Sequence, residues 1–163
     1  NLWISNTKQE LTEVMKRVNL VLLNEGEARQ FCETPNIIAA AKQVLELGPE
    51  YVIIKKGEHG ALLFDKYGNI FSAPAFPLES IKDPTGAGDT FAGGLIGYLA
   101  QCGEINDKNL RKAVIAGSAL ASFTAEEFGL EKLKEVRIDD LYERYSQFKN
   151  LTSFEEIIVP QLV

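Results

Sequence analysis

Much of what would mark a secreted, metal-bound or membrane-borne chain is scarce in this sequence of 163 residues. Its two cysteines, Cys32 and Cys102, are too few for a disulfide framework and lack zinc-ligand spacing, so both are expected as buried or half-buried free thiols. The single histidine, His59, has no partner cluster, and a solvent-facing turn residue is the simpler reading than a catalytic one. No apolar run approaches the roughly 20 residues that span a bilayer, and no signal-peptide pattern precedes the first strand, which makes the cytoplasm the expected compartment. Positive charge is short as well. Lys and Arg number 17 against 23 Asp and Glu, and the formal net charge of −6 is unsuited to nucleic acid or an anionic membrane. Repeats and low-complexity linkers are missing, and Asn150-Leu151-Thr152 reads as a chance glycosylation sequon in a chain without a secretory signal.

What is present has the make-up of one globular domain, with 45% hydrophobic and 25% charged residues. Leu11, Val14, Met15 and Val18 form a helical stripe over residues 7–18, with Asn6 or Thr7 to cap it. The apolar run Leu20 to Leu23 suits a strand buried on both faces, and a Pro35-led helix follows, with Ile37, Ile38, Ala41, Val44 and Leu45 inward and Gly48 as its stop. Tyr51 to Ile54 repeats the strand pattern, completing the strand–helix–strand unit of a parallel sheet. Ala61–Phe64 and Ile70–Ser72 flank a turn at Asp65–Asn69 and predict a hairpin, after which Pro74 and Pro77 keep the chain extended. Helices are expected from Asp89 to about Cys102, from a cap at Asp107 through Ala121, and over residues 138–148, with a partly ordered tail from Leu151. Gly93, Gly94 and Gly97 lower the propensity of the first of these by roughly 1 kcal/mol each, so close backbone packing is expected there. The fold class is therefore α/β, three-layered, with a mainly parallel sheet and ligands at the strands' carboxyl ends.

One stretch carries chemistry: Asp83-Pro84-Thr85-Gly86-Ala87-Gly88-Asp89-Thr90-Phe91-Ala92-Gly93-Gly94. Gly86 and Gly88 let the main chain approach a ligand, and the amides of Gly86, Ala87, Gly88 and Asp89 at a helix start point at negative charge. If a phosphate is bound there, Asp89 is placed beside it to take a proton from an attacking hydroxyl. A dinucleotide fingerprint would need glycine where Phe91 stands, and no Walker-type loop is present. The same letters also suit a plain glycine turn before a closely packed helix, with Asp89 an ordinary first-turn carboxylate. Asn24 and Glu27, at the end of the first strand, read as ligand-facing polar groups, unless Glu25 and Glu27 only decorate a first helical turn. Lys55 and Lys56 end the second strand as solvated charge, or with Lys55 reaching a phosphate.

The stretch from Asp83 to Gly94 resembles the second signature of the PfkB, or ribokinase-like, family of small-molecule kinases. Asn24-Glu25-Gly26-Glu27 matches that family's N-x-x-E element, Lys56-Gly57-Glu58-His59-Gly60 resembles its glycine turn before a hairpin, and the likeness covers most of residues 18–130. The resemblance implies ATP-dependent phosphorylation of a sugar or nucleoside hydroxyl, with Asp89 as base and Gly86, Ala87 and Gly88 in the anion hole. It implies Mg2+ ordered by Glu27 and Asn24 through water, a nucleotide phosphate near Lys55, Gly57 and Gly60, and an adenine slot at Gly117, Ser118 and Ala121. Many members carry an uncharged residue where this chain has Lys55. Close helix packing explains Gly117, Ser118 and Ala121 equally well. Asp83 and Thr85, with the loop Thr124 to Leu130, would hold a monovalent cation such as K+. By the same resemblance the chain is the C-terminal, nucleotide-binding half of a kinase, expected to be inactive alone, whose full-length form is able to dimerise through its lid. A non-catalytic nucleotide-binding module and a vitamin-precursor kinase of the same fold are the alternatives.

Overall fold

The computed structural model describes residues 2–155. Helices α1 (Leu2–Asn6) and α2 (Lys8–Met15) lead into strand β1 (Leu20–Asn24), followed by α3 (Glu25–Cys32), α4 (Ile37–Glu46) and β2 (Tyr51–Lys55). A single 3₁₀ turn at Gly57–His59 opens the hairpin β3 (Ala61–Asp65) and β4 (Ile70–Ala73). Four helices follow among the described residues: α5 (Ala87–Cys102), α6 (Asp107–Glu126), α7 (Glu131–Glu135) and α8 (Ile138–Thr152).

The three layers follow from the alternation of side chains along each strand. Val21, Leu23, Val52, Ile54 and Phe64 point to one face and pack with Ala28, Phe31, Ala41 and Val44 of α3 and α4. On the opposite face, Ile53, Ala61, Leu63 and Ala73 pack with Phe91 and Leu95 of α5 and Leu110, Ala113 and Val114 of α6. Strand order is β1-β2-β3-β4. Only β1 and β2 run parallel, while β2/β3 and β3/β4 are antiparallel, so the sheet of the described residues is mixed rather than mainly parallel. The hairpin is responsible, since it adds two antiparallel strands to a single strand–helix–strand unit. Asp65 organises its turn, accepting from the amides of Tyr67 at 2.9 Å and Asn69 at 2.8 Å and from the Asn69 side chain at 2.7 Å. Burial works against the Asp65 charge, yet these bonds outweigh it and hold the carboxyl below its ordinary range.

Several local expectations shift. Leu11 and Met15 join the first core, but Val14 and Val18 face outward, because α2 ends at Met15 and the stripe is not continued. Asn36 rather than Pro35 starts α4, its side chain accepting from the amides of Ile38 and Ala39, and Ile38 is exposed. Asn106, not Asp107, caps α6 by accepting from the Asn109 amide at 2.9 Å; Asp107 pairs with Arg111 instead. The expected tail at Leu151 begins inside α8, and residues 156–163 lie outside the described ones. Cys32 is half-buried with its thiol raised by burial, whereas Cys102 is exposed.

Of Gly93, Gly94 and Gly97, Gly94 alone marks close packing: a Cβ there would lie 2.8 Å from Leu120 Cδ1 and 3.1 Å from Gly117 Cα. Gly93 and Gly97 meet nothing within 4 Å. Gly97→Ala is therefore expected to stabilise the fold by about 0.5–1 kcal/mol, the helix-propensity difference. A rise in the urea midpoint at unchanged slope would bear this out, and a fall would mean that the Gly97 face is occupied in solution.

Candidate active site

β1 and β2 end side by side, with Asn24 and Lys55 as partners in the parallel ladder. The chain leaves β2 through the turn Gly57–Gly60 and later descends past it along residues 73–81. Between these segments, the first turn of α5 and the middle of α6 lies a cleft of about 660 Å3. Asn24, Lys55, Gly57, Gly60, Ala87, Gly88, Ser118 and Ala121 line it, so eight of the residues singled out from the sequence share one surface.

The start of α5 explains what that surface can hold. Gly86 takes a left-handed conformation, φ 82° and ψ −9°, which turns the chain into the helix, and no side chain caps the turn. The Ala87 amide donates to the Pro84 carbonyl at 3.1 Å and the Thr90 amide to the Gly86 carbonyl at 2.9 Å. That leaves Gly88 and Asp89 as the first-turn positions whose amides face outward without a carbonyl four residues back in the helix. Ala87 is thus engaged in forming the turn and contributes shape rather than a free donor. The half-buried Lys55 brings its Nζ to 3.4 Å from the Gly88 carbonyl oxygen. A lysine at the positive end of a helix dipole is unfavourable by itself, and an anion between the ammonium and the amides relieves it. Asp89 is exposed on the same turn, and among the described residues nothing hydrogen-bonds or pairs with its carboxylate.

Asn24 and Glu27 are closely coupled. The Asn24 side chain accepts from the Glu27 amide at 2.8 Å, and the Asn24 amide donates to Glu27 Oε2 at 2.9 Å, a reciprocal capping box for α3. No group of three or more His, Cys, Asp or Glu among the described residues is arranged to hold a metal. One carboxylate and one amide oxygen, both partly committed to the cap, fit a hydrated Mg2+ that keeps most of its waters, and do not form a dehydrating cage.

Asp83 accepts from the Thr85 amide at 2.9 Å, and the Thr85 amide and hydroxyl, together with the Gly129 amide, hold its carboxyl below the usual range. Next to it, the Lys82 amide donates to the Ala125 carbonyl at 3.0 Å, and Lys82 pairs with Glu127. Asp83 therefore adjoins the end of α6 and the chain that follows it. Thr124, expected in that loop, sits fully buried in the last turn of α6, its hydroxyl donating to that of Thr90 at 2.9 Å.

Gly117 stays out of the cleft lining. A Cβ on it would come within 2.6 Å of the Phe91 carbonyl oxygen, so it serves the contact between α5 and α6. Asp83, Thr85, Gly86 and Asp89 border the cleft through neighbours in the chain and Glu27 through its hydrogen bonds with Asn24; none of the five is part of the lining. His59 is exposed in its turn, near Glu58, as expected. Phe91, Ser122 and Ala125 also line the cleft and were not singled out from the sequence; the resemblance assigns the hairpin and its descent to the wall beside a nucleotide, without naming residues, and Phe76, Pro77, Leu78 and Ile81 of that descent form an apolar wall of the cleft. Its one signal was the run Ala75-Phe76-Pro77-Leu78, apolar residues in a segment that forms neither strand nor helix.

No helix among the described residues is long and apolar enough to cross a membrane. Over 91 residues the chain is 42% identical to a cytidine kinase of Thermococcus kodakarensis, covering 54% of this chain and 32% of that protein. Among solved structures, the aminoimidazole riboside kinase of Salmonella enterica, complexed with aminoimidazole riboside and an ATP analog, matches with a TM-score of 0.73 at 26% identity over 86% of this chain and 48% of that one. The ribokinase of Thermotoga maritima matches with a TM-score of 0.67 at 28% identity, over 85% of this chain and 44% of its own. The chain thus spans less than half the length of each of these relatives. The model of the pfkB family carbohydrate kinases matches residues 1–136, where the capping box, the glycine turn, the cleft and the start of α5 all lie, and the chain belongs to that family.

Proposed function

We propose that the protein to which these residues belong transfers the γ-phosphoryl group of ATP to a hydroxyl of a sugar or nucleoside. The observation that carries this reading is the convergence of two polar strand ends, Asn24 and Lys55, with the uncapped first turn of α5 on one cleft. The purine would lie between the apolar wall at Phe76–Leu78 and the small residues Ser118 and Ala121, with the phosphates toward Lys55 and the amides of Gly88 and Asp89. Asp89 would accept the proton of the acceptor hydroxyl as its oxygen bonds to the γ-phosphorus. The bond to the bridging oxygen breaks at the same time, and ADP leaves with that electron pair. The outward amides would stabilise charge gathering on the transferring group, which is where preorganised donors contribute most. Mg2+ would be oriented through water by Glu27 and Asn24, and supplies charge neutralisation on the phosphates when bound. A monovalent cation would be held by Asp83, Thr85 and the chain after α6.

The test is acceptor-dependent ADP release by the longest native polypeptide that contains these residues, supplied with Mg2+, ATP and a panel of sugars and nucleosides. ADP formation that requires one compound of the panel is expected and would name the acceptor. Tight ATP binding with no release on any acceptor, vitamin precursors included, would favour a non-catalytic nucleotide-binding module.

A further inference from the structure

Among the described residues, Arg144 on α8 joins α8, α6 and the descending segment at one point through both faces and the edge of its guanidinium. The guanidinium carbon lies 4.1 Å from the ring centroid of Phe76 and 4.1 Å from that of Phe123, so the plane is sandwiched between two aromatic faces. Along its edge, Nη1 donates to Ser122 Oγ at 2.6 Å and Nη2 to Glu126 Oε1 at 2.7 Å. Ser122 in turn donates to the Ala119 carbonyl at 2.6 Å. The Arg144 side chain is only 13% exposed, and Phe148 backs the same Phe76 ring at a centroid distance of 5.4 Å.

Phe76, on the descending segment, and Ser122, on α6, both line the cleft, whereas Arg144 does not. We propose that Arg144 is a positioning residue for the base-binding side of the cleft: by holding Phe76 and Ser122 together it sets the width of the slot that a nucleobase enters. The inference rests on the nucleotide reading given above. Lysine would keep the charge but has neither two flat faces nor a fork of donors, so it cannot replace the stack and the two hydrogen bonds at once. Among the described residues, the Arg144 hydrogen bonds and ring contacts go to Phe76, Ser122, Phe123 and Glu126 and not to Lys55 or the start of α5, so the two halves of the cleft are separable by experiment.

The experiment measures the affinity of the full native polypeptide for ADP and, in parallel, for inorganic tripolyphosphate, in wild type, Arg144→Lys and Phe76→Leu, each checked by thermal melting. Arg144→Lys is expected to weaken ADP about tenfold, the scale of a lost desolvated stack, and to leave tripolyphosphate unchanged. Phe76→Leu, which removes the ring while keeping Arg144, should reproduce that selective loss even if Arg144→Lys folds poorly. Equal weakening of both ligands, or unchanged ADP affinity in a folded variant, would overturn the positioning role. If wild type binds ADP no better than tripolyphosphate, the nucleotide reading itself fails, and this inference with it.

Discussion

Asp89→Asn is expected to lower turnover by about 10²–10⁴-fold while leaving ADP affinity within a few-fold of wild type, the range for loss of a positioned general base. Asparagine keeps the size and shape of the side chain and leaves the backbone of the first turn untouched, so the outward amides at positions 88 and 89 would still meet the phosphates. What it removes is the ability to take up a proton. The carboxylate stands exposed on the first turn of α5 with no partner among the described residues, which leaves its acceptor oxygens available to a substrate hydroxyl. A structural role predicts something else. An acidic group in a helix's first turn is worth about 0.3–1 kcal/mol through the dipole, and its neutralisation would lower the melting temperature slightly without touching turnover. Steady-state kinetics with saturating acceptor, set beside ADP binding and a thermal melt, separate the two. Turnover within a few-fold of wild type would remove Asp89 from the chemistry.

The parts of the site legible in the sequence are those fixed over a few residues. The start of α5 could be read because glycine at 86, the residues after it and Asp89 act within one turn, and the strand ends at Asn24 and Lys55 could be read because each closes a short apolar run. Caps were legible only to within a residue: Asn106 and Asp107 both suit the role, and the choice falls to whichever side chain reaches an amide. The spacing at Asn24 and Glu27 suits either a ligand pair or a decorated first helical turn; it is also a capping-box spacing, and the geometry uses it as one. Gly93 and Gly97 carry no signal that distinguishes them from Gly94; which of the three touches α6 depends on the angle at which two helices meet. Arg144 and the particular residues of the apolar wall were the least legible. Phe76 becomes part of a cleft only because the chain after β4 passes over the glycine turn, and Arg144 reaches it from a helix late in the chain. Those placements are set by long-range packing, and no window of sequence encodes them.

The crossing at Gly60 carries the second large expected effect: Gly60→Ala should cost roughly 3–5 kcal/mol, combining backbone strain with overpacking. Gly60 has φ 84° and ψ −137°, a region closed to residues with a Cβ. A Cβ built there would lie 2.1 Å from the Ala73 carbonyl oxygen, 2.5 Å from the Pro74 carbonyl carbon and 2.6 Å from the Ala75 nitrogen. All three obstacles are main chain, so no rotamer change relieves them; the segment that carries Phe76 and Pro77 has to move away. Gly57, in the same turn, provides the control. It also has a positive φ, 57°, but a Cβ there meets nothing within 4 Å, so Gly57→Ala should cost only the left-handed strain of about 1–2 kcal/mol. Urea unfolding of the two variants gives the comparison, and ADP affinity measured in buffer gives its consequence. Because the displaced segment is one wall of the cleft, Gly60→Ala should lose nucleotide binding even where it remains folded, while Gly57→Ala should lose much less. Equal destabilisation in the two variants would mean that backbone conformation alone selects glycine at position 60, and that the close crossing is not what holds the apolar wall in place.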